Sequence, residues 1–340
     1  MDFEKDNLLE MAGSIIADGN IIFCPSLGEY PVYDELLYNM MCNDSVRMGA
    51  YNNVIRKLAK DKTVVEIGTG SKAPLALMCA EAEARIVYAI EADPEAARQA
   101  DLLIKSRKLE HKIRVITGYS SAVELPEKVD LCVSEIIGNI GGAEGAINIL
   151  NDAKRFLKDD GRMIPERCLT KIAPAFMPQK IYEDDLMKEV VDGYVRQVYD
   201  AVGFEFPLTR YAAYNFPESN IISKPEIFED INFNLLPEEY LAKTVEFRIC
   251  ADCRFDGLLL WVNLYVDESN VIDTFKSMSW APVFLRANSL DLKQGDILKV
   301  DCVRTLSRNR INPDYFFKGA VLRKNNEKDV FHIESYYTKA

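Results

Sequence analysis

Val64-Val65-Glu66-Ile67-Gly68-Thr69-Gly70 sets a β-branched run directly against a glycine-rich turn. Glycine at such a turn lets the backbone approach a ligand closely, and a helix that follows offers its N-terminus. Outward from it the pattern alternates. Residues 86–90, 113–117 and 129–133 read as strands, while 75–83 and 94–108 carry helical periods. Strand and helix alternating at this spacing predict βαβ units and a parallel, doubly wound sheet, so the fold class begins as α/β.

Beyond Pro165 the texture changes. Short β-rich runs at 244–251, 258–266, 297–303 and 315–322 are separated by Pro, Asn, Asp and Gly, and helical periodicity nearly vanishes. An antiparallel sandwich or barrel is expected there. Residues from about 194 to 225, rich in aromatics and broken by Pro207 and Pro217, interrupt that pattern like an inserted arm. Ahead of the turn, residues 1–60 read as helix, with a loop at 24–28 and a longer amphipathic run over 31–60. The expected division is therefore 1–60 as N-terminal helices, 61–165 as the Rossmann-like domain and 166–340 as the β-rich domain.

At 340 residues the chain exceeds the usual single-domain size, and 48% hydrophobic with 28% charged residues is the composition of an ordered globular protein. A net charge of −12 and a pI near 4.9 argue against nucleic acid as the main partner, because that affinity comes from Lys and Arg on phosphates. The same charge would steer in a cationic substrate, although it also serves solubility alone. The acidic start predicts no secretory leader, and no stretch is apolar and long enough to span a bilayer. The eight cysteines mostly sit in apolar runs. Cys250 and Cys253 have a CxxC spacing inside an apparent strand, with no second pair and no nearby His. No metal site is expected, and buried thiols in a reducing, cytoplasmic compartment are.

Glu91 ends the second strand, placed for a carboxylate to accept from two ribose hydroxyls. The turn and Glu91 together fit a nicotinamide cofactor or S-adenosylmethionine, and Glu91 taken alone fits an ordinary solvated loop acid. Two details favour the methyl donor: Glu66 inside the strand, and no third glycine at the dinucleotide spacing. A methionine moiety beside the turn, in place of a pyrophosphate, relaxes the demand for a phosphate cradle.

The strand over 129–133 runs into Ser134-Glu135-Ile136-Ile137-Gly138-Asn139, and Gly142-Ala143-Glu144-Gly145-Ala146 follows one loop later. Open α/β sheets place their chemistry at the carboxyl ends of the strands. Two carboxylates on a Gly-rich loop there form an acceptor set suited to a guanidinium, whose donors sit in a rigid fork. Such acids would localise charge on some nitrogens and leave another more nucleophilic toward a sulfonium methyl. Singly, each would read as a helix cap or a solvated acid.

The stretch from Ser134 through Glu144 resembles the "double-E" loop of the protein arginine methyltransferases, in a form closer to the symmetric and monomethylating branches. Met41-Cys42-Asn43-Asp44-Ser45-Val46-Arg47 with Tyr51 resembles that family's N-terminal helical motif, and Ser279-Trp280 its pocket-closing loop. The likeness spans roughly residues 30–322. It implies a class I S-adenosylmethionine-dependent methyltransferase domain with N-terminal helices capping the cofactor site, then a β-barrel carrying a dimerisation arm at about 194–225, hence a homodimer. It further implies that Glu135 and Glu144 are catalytic, and that Met41, Ser279 and Trp280 bind substrate. Arg47 would pair with the cofactor carboxylate, with Glu66, Gly68, Thr69, Gly70, Glu91, Ser120, Ser121 and Glu135 around the donor. The chain departs from the family at Met278-Ser279-Trp280, which lacks the His that would pair with Asp44; with only His111 and His332 present, a His–Asp proton relay cannot operate. Ser71-Lys72 replaces the third glycine of the donor loop, and Ser120-Ser121 stands where a hydrophobic residue and an acid are usual.

The implied substrate is an arginine in a protein or peptide, or free arginine or a small guanidine, since no recruitment domain is read at either end. The competing readings are a catalytically silent dimeric scaffold, favoured by the altered donor loop and lost His, and an NAD-linked oxidoreductase, disfavoured by the scarcity of His. Retention of Glu135, Glu144, Arg47 and Glu91 argues for the enzyme. Trp261, Phe316 and Phe317 read as core or strand residues, and the basic run over 318–328 as a solvated edge.

Overall fold

A computed structural model describes residues 21–26, 41–178, 209–277, 279–323 and 328–336, together with Gly19 and residues 192–193, 195–196, 199–200 and 203–205. In chain order the strands are β1 Ile22–Pro25, β2 Thr63–Ile67, β3 Ile86–Glu91, β4 Ile113–Thr117, β5 Val129–Ser134, β6 Leu157–Ile164, β7 Arg167–Ala175, β8 Arg210–Tyr214, β9 Glu226–Asn232, β10 Leu241–Arg248, β11 Cys253–Asp267, β12 Asn270–Asp273, β13 Val283–Leu292, β14 Ile297–Leu306, β15 Pro313–Leu322 and β16 Lys328–Ser335. The helices are α1 Ser45–Leu58, α2 Pro74–Glu81, α3 Pro94–Ser106 and α4 Ala146–Ala153.

The first half is the parallel sheet expected from the alternating pattern, in the order β4-β3-β2-β5-β6. Every residue of β2 is buried, as suits a central strand covered on both faces. Because β2 lies between β3 and β5, strand order reverses beside it, and open sheets hold their ligands at the carboxyl side of such a point. Helix starts follow from local chemistry. Asp93 caps α3 by accepting from Ala96 N–H, and proline occupies the first turn of both α2 and α3, where no donor is lost.

The second half pairs antiparallel throughout. One sheet runs β1-β8-β13-β11-β7-β9 with β12 on β11, and a second runs β10-β14-β15-β16. The two pack face to face around Phe247, Phe255, Leu258, Leu260 and Phe317. The sheets also meet where edge strand β9 contacts edge strand β10 and where β13 contacts β16.

Strand β11 is 15 residues long and joins the halves. Alternation puts Leu258 and Leu260 into the core between the sheets, and Val262, Leu264 and Val266 into the core that also holds Tyr51, Val54 and Ile55 of α1. Its opposite face presents Leu259 and Trp261 to a third cluster with Phe23, Tyr211, Phe216 and Phe284, so Trp261 is core, as read from the sequence.

Two expectations are corrected. Residues 1–60 are not all helical caps over the cofactor site: Ile22–Pro25 is a strand paired antiparallel with Tyr211–Tyr214 of the second domain. Its β-branched and aromatic side chains decide this, since Phe23 is wholly buried among Tyr211, Phe216 and Phe284. The arm does not extend to 225. From Arg210 onward the chain is sheet and core, with β8 paired to β13 and Ala175 bridging Ile221. Residues 194, 197–198, 201–202 and 206–208 of the segment read as arm, and the start of the run over 31–60, lie outside the described residues.

Candidate active site

A cavity of about 1130 Å³ opens at the carboxyl ends of β2, β3 and β5, closed on one side by the start of α1 and on another by the loop ahead of β13. Its donor end is built by the turn after β2. Gly68 and Gly70 have φ of 76° and 64°, in the region L side chains avoid, and a Cβ on Gly68 would lie 2.9 Å from Ile136 Cγ2. Gly70 N–H donates to Glu91 Oε2 at 2.8 Å, and Asp93 N–H to Glu91 Oε1 at 2.9 Å. A carboxylate has about four acceptor sites, so Glu91 is anchored by backbone and still lines the cavity with acceptor capacity. Glu66 is almost wholly buried and accepts from Thr69 Oγ1. Burial, aided by the Glu91 charge and opposed by the Thr69 and Ala76 hydrogen bonds, pushes its carboxyl up to about 8.

The acid end rests on β5. Ser134 Oγ donates to Ile67 O at 2.9 Å and Tyr51 OH to Ser134 O at 2.9 Å, which fixes the backbone immediately before Glu135. Glu135 Oε2 accepts from Arg47 Nη2, and the Arg47 guanidinium lies 4.4 Å from the centroid of the Trp280 ring. The other oxygen, Glu135 Oε1, is buried with no hydrogen-bond partner among the described residues. An unpaired buried carboxylate oxygen is costly, and one facing a cavity is an acceptor awaiting a donor. Glu144 lines the same cavity, as do Met41, Ser279 and Trp280.

Asp44 connects these parts. Its Oδ1 caps α1, accepting from Val46 and Arg47 N–H at 3.1 and 3.0 Å, and its Oδ2 accepts from Ser277 Oγ at 2.8 Å and Ser279 Oγ at 2.7 Å. Burial pushes the Asp44 carboxyl up, but the backbone bond from Arg47, the two serine hydroxyls and the Arg47 charge outweigh it, and it lies below its ordinary value.

Of the residues anticipated from the sequence, Glu66, Gly68, Thr69, Gly70, Glu91, Arg47, Met41, Glu135, Glu144, Ser279 and Trp280 all line this one cavity. Ser120 and Ser121 do not. They form a short 3-10 turn in which Ser120 O accepts from Arg155, and the neighbouring Tyr119 faces the cavity in their place. The Arg47 expectation is also refined, since its guanidinium is engaged by Glu135 and Trp280. Sequence reading missed Tyr51 as an anchor of Ser134, Asn139, whose Nδ2 donates to Ala281 O at 2.6 Å, and the polar residues beneath the acidic loop. A Tyr four residues after Arg47 was the one available signal.

A family model described as PRMT5 arginine-N-methyltransferase matches residues 27–164. The histone-arginine methyltransferase CARMER of Drosophila persimilis is 37% identical over 153 residues, covering 44% of this chain, and the probable histone-arginine methyltransferase CARMER of Drosophila melanogaster matches to the same extent. That match spans only 28% of the length of either relative. Among solved structures, protein arginine methyltransferase 10 of Arabidopsis thaliana superposes with a TM-score of 0.71 at 23% identity, covering 88% of this chain and 97% of that one. The Trypanosoma brucei PRMT1 enzyme–prozyme complex with AdoHcy gives 0.69 at 18% identity, covering 87% and 97%. The likeness to arginine methyltransferases is thus one of sequence over residues 27–164 and one of fold over nearly the whole chain.

Proposed function

We propose that the chain methylates a guanidinium nitrogen of arginine, in a protein or peptide or in a small guanidine, with S-adenosylmethionine as donor. The observation that carries this reading is Glu135 Oε1, buried without a hydrogen-bond partner among the described residues, in a cavity that Glu144, the glycine turn and Glu91 also line. Gly68, Gly70 and Glu91 fit the nucleoside end of such a donor, and the absence of a pyrophosphate cradle fits its methionine end. When bound, the donor supplies an electrophilic sulfonium methyl.

The chain's own part is to bind and orient. Glu135 is held on one oxygen by Arg47 and offers the other to a substrate N–H, while Glu144 supplies the second acceptor. A guanidinium keeps its proton up to a pKa above about 12, so its nitrogen must be made nucleophilic in place. Carboxylates that grip some N–H groups draw positive charge toward them and leave the remaining nitrogen electron-rich. As the N–C bond forms and the S–C bond breaks, that nitrogen loses a proton; neither His111 nor His332 lines the cavity, which leaves carboxylates as the acceptors there.

The relatives named for histone-arginine methylation support a polypeptide substrate, and the heterotetrameric complex of the trypanosome relative supports assembly, for which a homodimer is the simplest form. The cytoplasm suits an enzyme whose four buried cysteines are free thiols. The test is mass spectrometry of arginine-containing peptides, L-arginine and guanidino metabolites incubated with the chain and S-adenosylmethionine. A gain of one or two methyl masses on a guanidine is expected, and transfer to none of them would overturn the reading.

A further inference from the structure

Beneath the acidic loop, on the side away from the cavity, lies a buried ionic network outside the site described above. Glu229 of β9 is fully buried and Arg304 of β14 nearly so, at 0% and 4% exposure. Glu229 Oε1 accepts from Arg304 Nη1 at 2.8 Å and from Tyr315 OH at 3.2 Å, and Glu229 Oε2 accepts from Thr170 Oγ1 at 2.5 Å. Arg304 is itself held by Glu238 O at 2.6 Å and Glu239 O at 3.2 Å. Because the single Thr170 hydroxyl proton is committed to Glu229, the oxygen can only accept from Gly141 N–H, which it does at 2.9 Å. A carboxylate behind a hydroxyl polarises it and strengthens it as an acceptor.

The loop rests directly on this network. A Cβ on Gly141 would fall 2.4 Å from Cys168 Sγ, and one on Gly142 would fall 3.1 Å from Tyr315 OH and 3.2 Å from Glu229 Oε1. From the far side, Asn312 Nδ2 donates to Ala143 O at 3.0 Å, and Gly145 N–H closes a turn on Gly142 O at 3.1 Å. Glu144 therefore follows directly on a carbonyl held by Asn312, three residues after a backbone N–H held by Thr170. Buried ion pairs often contribute no more stability than apolar side chains of similar size, so a network this completely bonded calls for another use.

We propose that Thr170, Glu229, Arg304 and Asn312 are positioning residues for Glu144: the second domain sets the acceptor geometry of the guanidinium site through Gly141 N–H and Ala143 O. The inference rests on the reading of Glu144 given under Proposed function. None of the four lines the cavity.

Thr170→Val removes the hydroxyl at constant shape, and Thr170→Ser restores it. Each is assayed with an arginine peptide or L-arginine, whichever the wild-type chain methylates, and with calorimetric binding of S-adenosylhomocysteine. The expected result for Thr170→Val is a kcat lower by about tenfold or more, from a misplaced acceptor, with unchanged KM and donor affinity and recovery in Thr170→Ser. Unchanged kcat, a parallel loss of donor affinity, or no recovery in the serine variant overturns the inference. If Thr170→Val does not fold, Asn312→Ala is read by the same criteria. Glu144→Gln run alongside separates the failures: inactive Glu144→Gln with fully active Thr170→Val sinks only the positioning role, whereas active Glu144→Gln, or a wild-type chain that methylates neither substrate, sinks the site reading and the network with it.

Discussion

Ser279 Oγ donates to Asp44 Oδ2 at 2.7 Å, where a histidine would be the usual partner in the family that the motif resembles. A hydroxyl keeps the mechanical half of that contact and drops the proton-carrying half. The carboxylate ties the loop before β13 to the first turn of α1, and hence to Arg47. Asp44→Ala should cost about 1 kcal/mol from the lost helix cap and weaken donor binding through Arg47, measured by thermal unfolding and calorimetry. Its carboxyl lies below the ordinary value, so the stability it lends is present above the unfolded-state value of 3.8 and is lost only as pH falls through the lower folded value.

Catalysis should not depend on histidine. The double variant His111→Gln, His332→Gln is expected to keep its kcat, measured by methyl transfer at neutral pH. A large loss would show that a proton passes through one of these rings.

Glu144→Gln keeps shape and polarity while losing charge. It should leave the fold and donor binding intact and lower kcat by about 100-fold or more, the scale set by removal of one preorganised electrostatic group. Near-normal turnover would refute the assignment.

Arg47 and Glu135 form a buried pair, with side chains 5% and 14% exposed. Arg47→Ala should therefore destabilise the chain by about 3 kcal/mol, because it strands a buried carboxylate, besides weakening donor binding. Thermal unfolding and S-adenosylhomocysteine titration measure the two effects separately. An unfolding midpoint equal to that of the wild type would mean the pair is not closed in solution.

Glu66 gives a pH signature. In the unfolded chain its carboxyl titrates near 4.5 and in the folded chain near 8, so between these values the folded state holds a proton the unfolded state has released. Stability from this group is thus complete below about 4.5 and declines as pH rises to about 8. Glu66→Gln should unfold at the same temperature as the wild type at the acid end and at a higher one at pH 8. A difference independent of pH would count against the buried, protonated acid.

Much of the site was legible because its parts are local. Glu66 to Gly70, Glu91 and Glu135 each sit within a few residues of a strand end, Glu144 follows on the loop that leaves β5, and strand ends in a parallel sheet converge. Residues whose role depends on distant partners left no such mark. Glu229 reads as one more charge in Glu226–Asn232, and only its meeting with Arg304, 75 positions away, makes it structural. The strand Ile22–Pro25 offers only a short apolar run and the loop-like Pro25 to a reader of the sequence, since its pairing partner Tyr211–Tyr214 is more remote still. Phe23→Ala tests that strand's weight: deleting a fully buried ring should cost about 3 kcal/mol or more, read from denaturant unfolding.

The length of β11 makes the two halves mechanically one object. Val262, Leu264 and Val266 belong to the same continuous strand as Leu258 and Leu260, so opening either core tugs the backbone that lines the other. Melting should then proceed as one event under every optical probe, and a severed parallel-sheet half, bared along the seam it shares with β11, should precipitate.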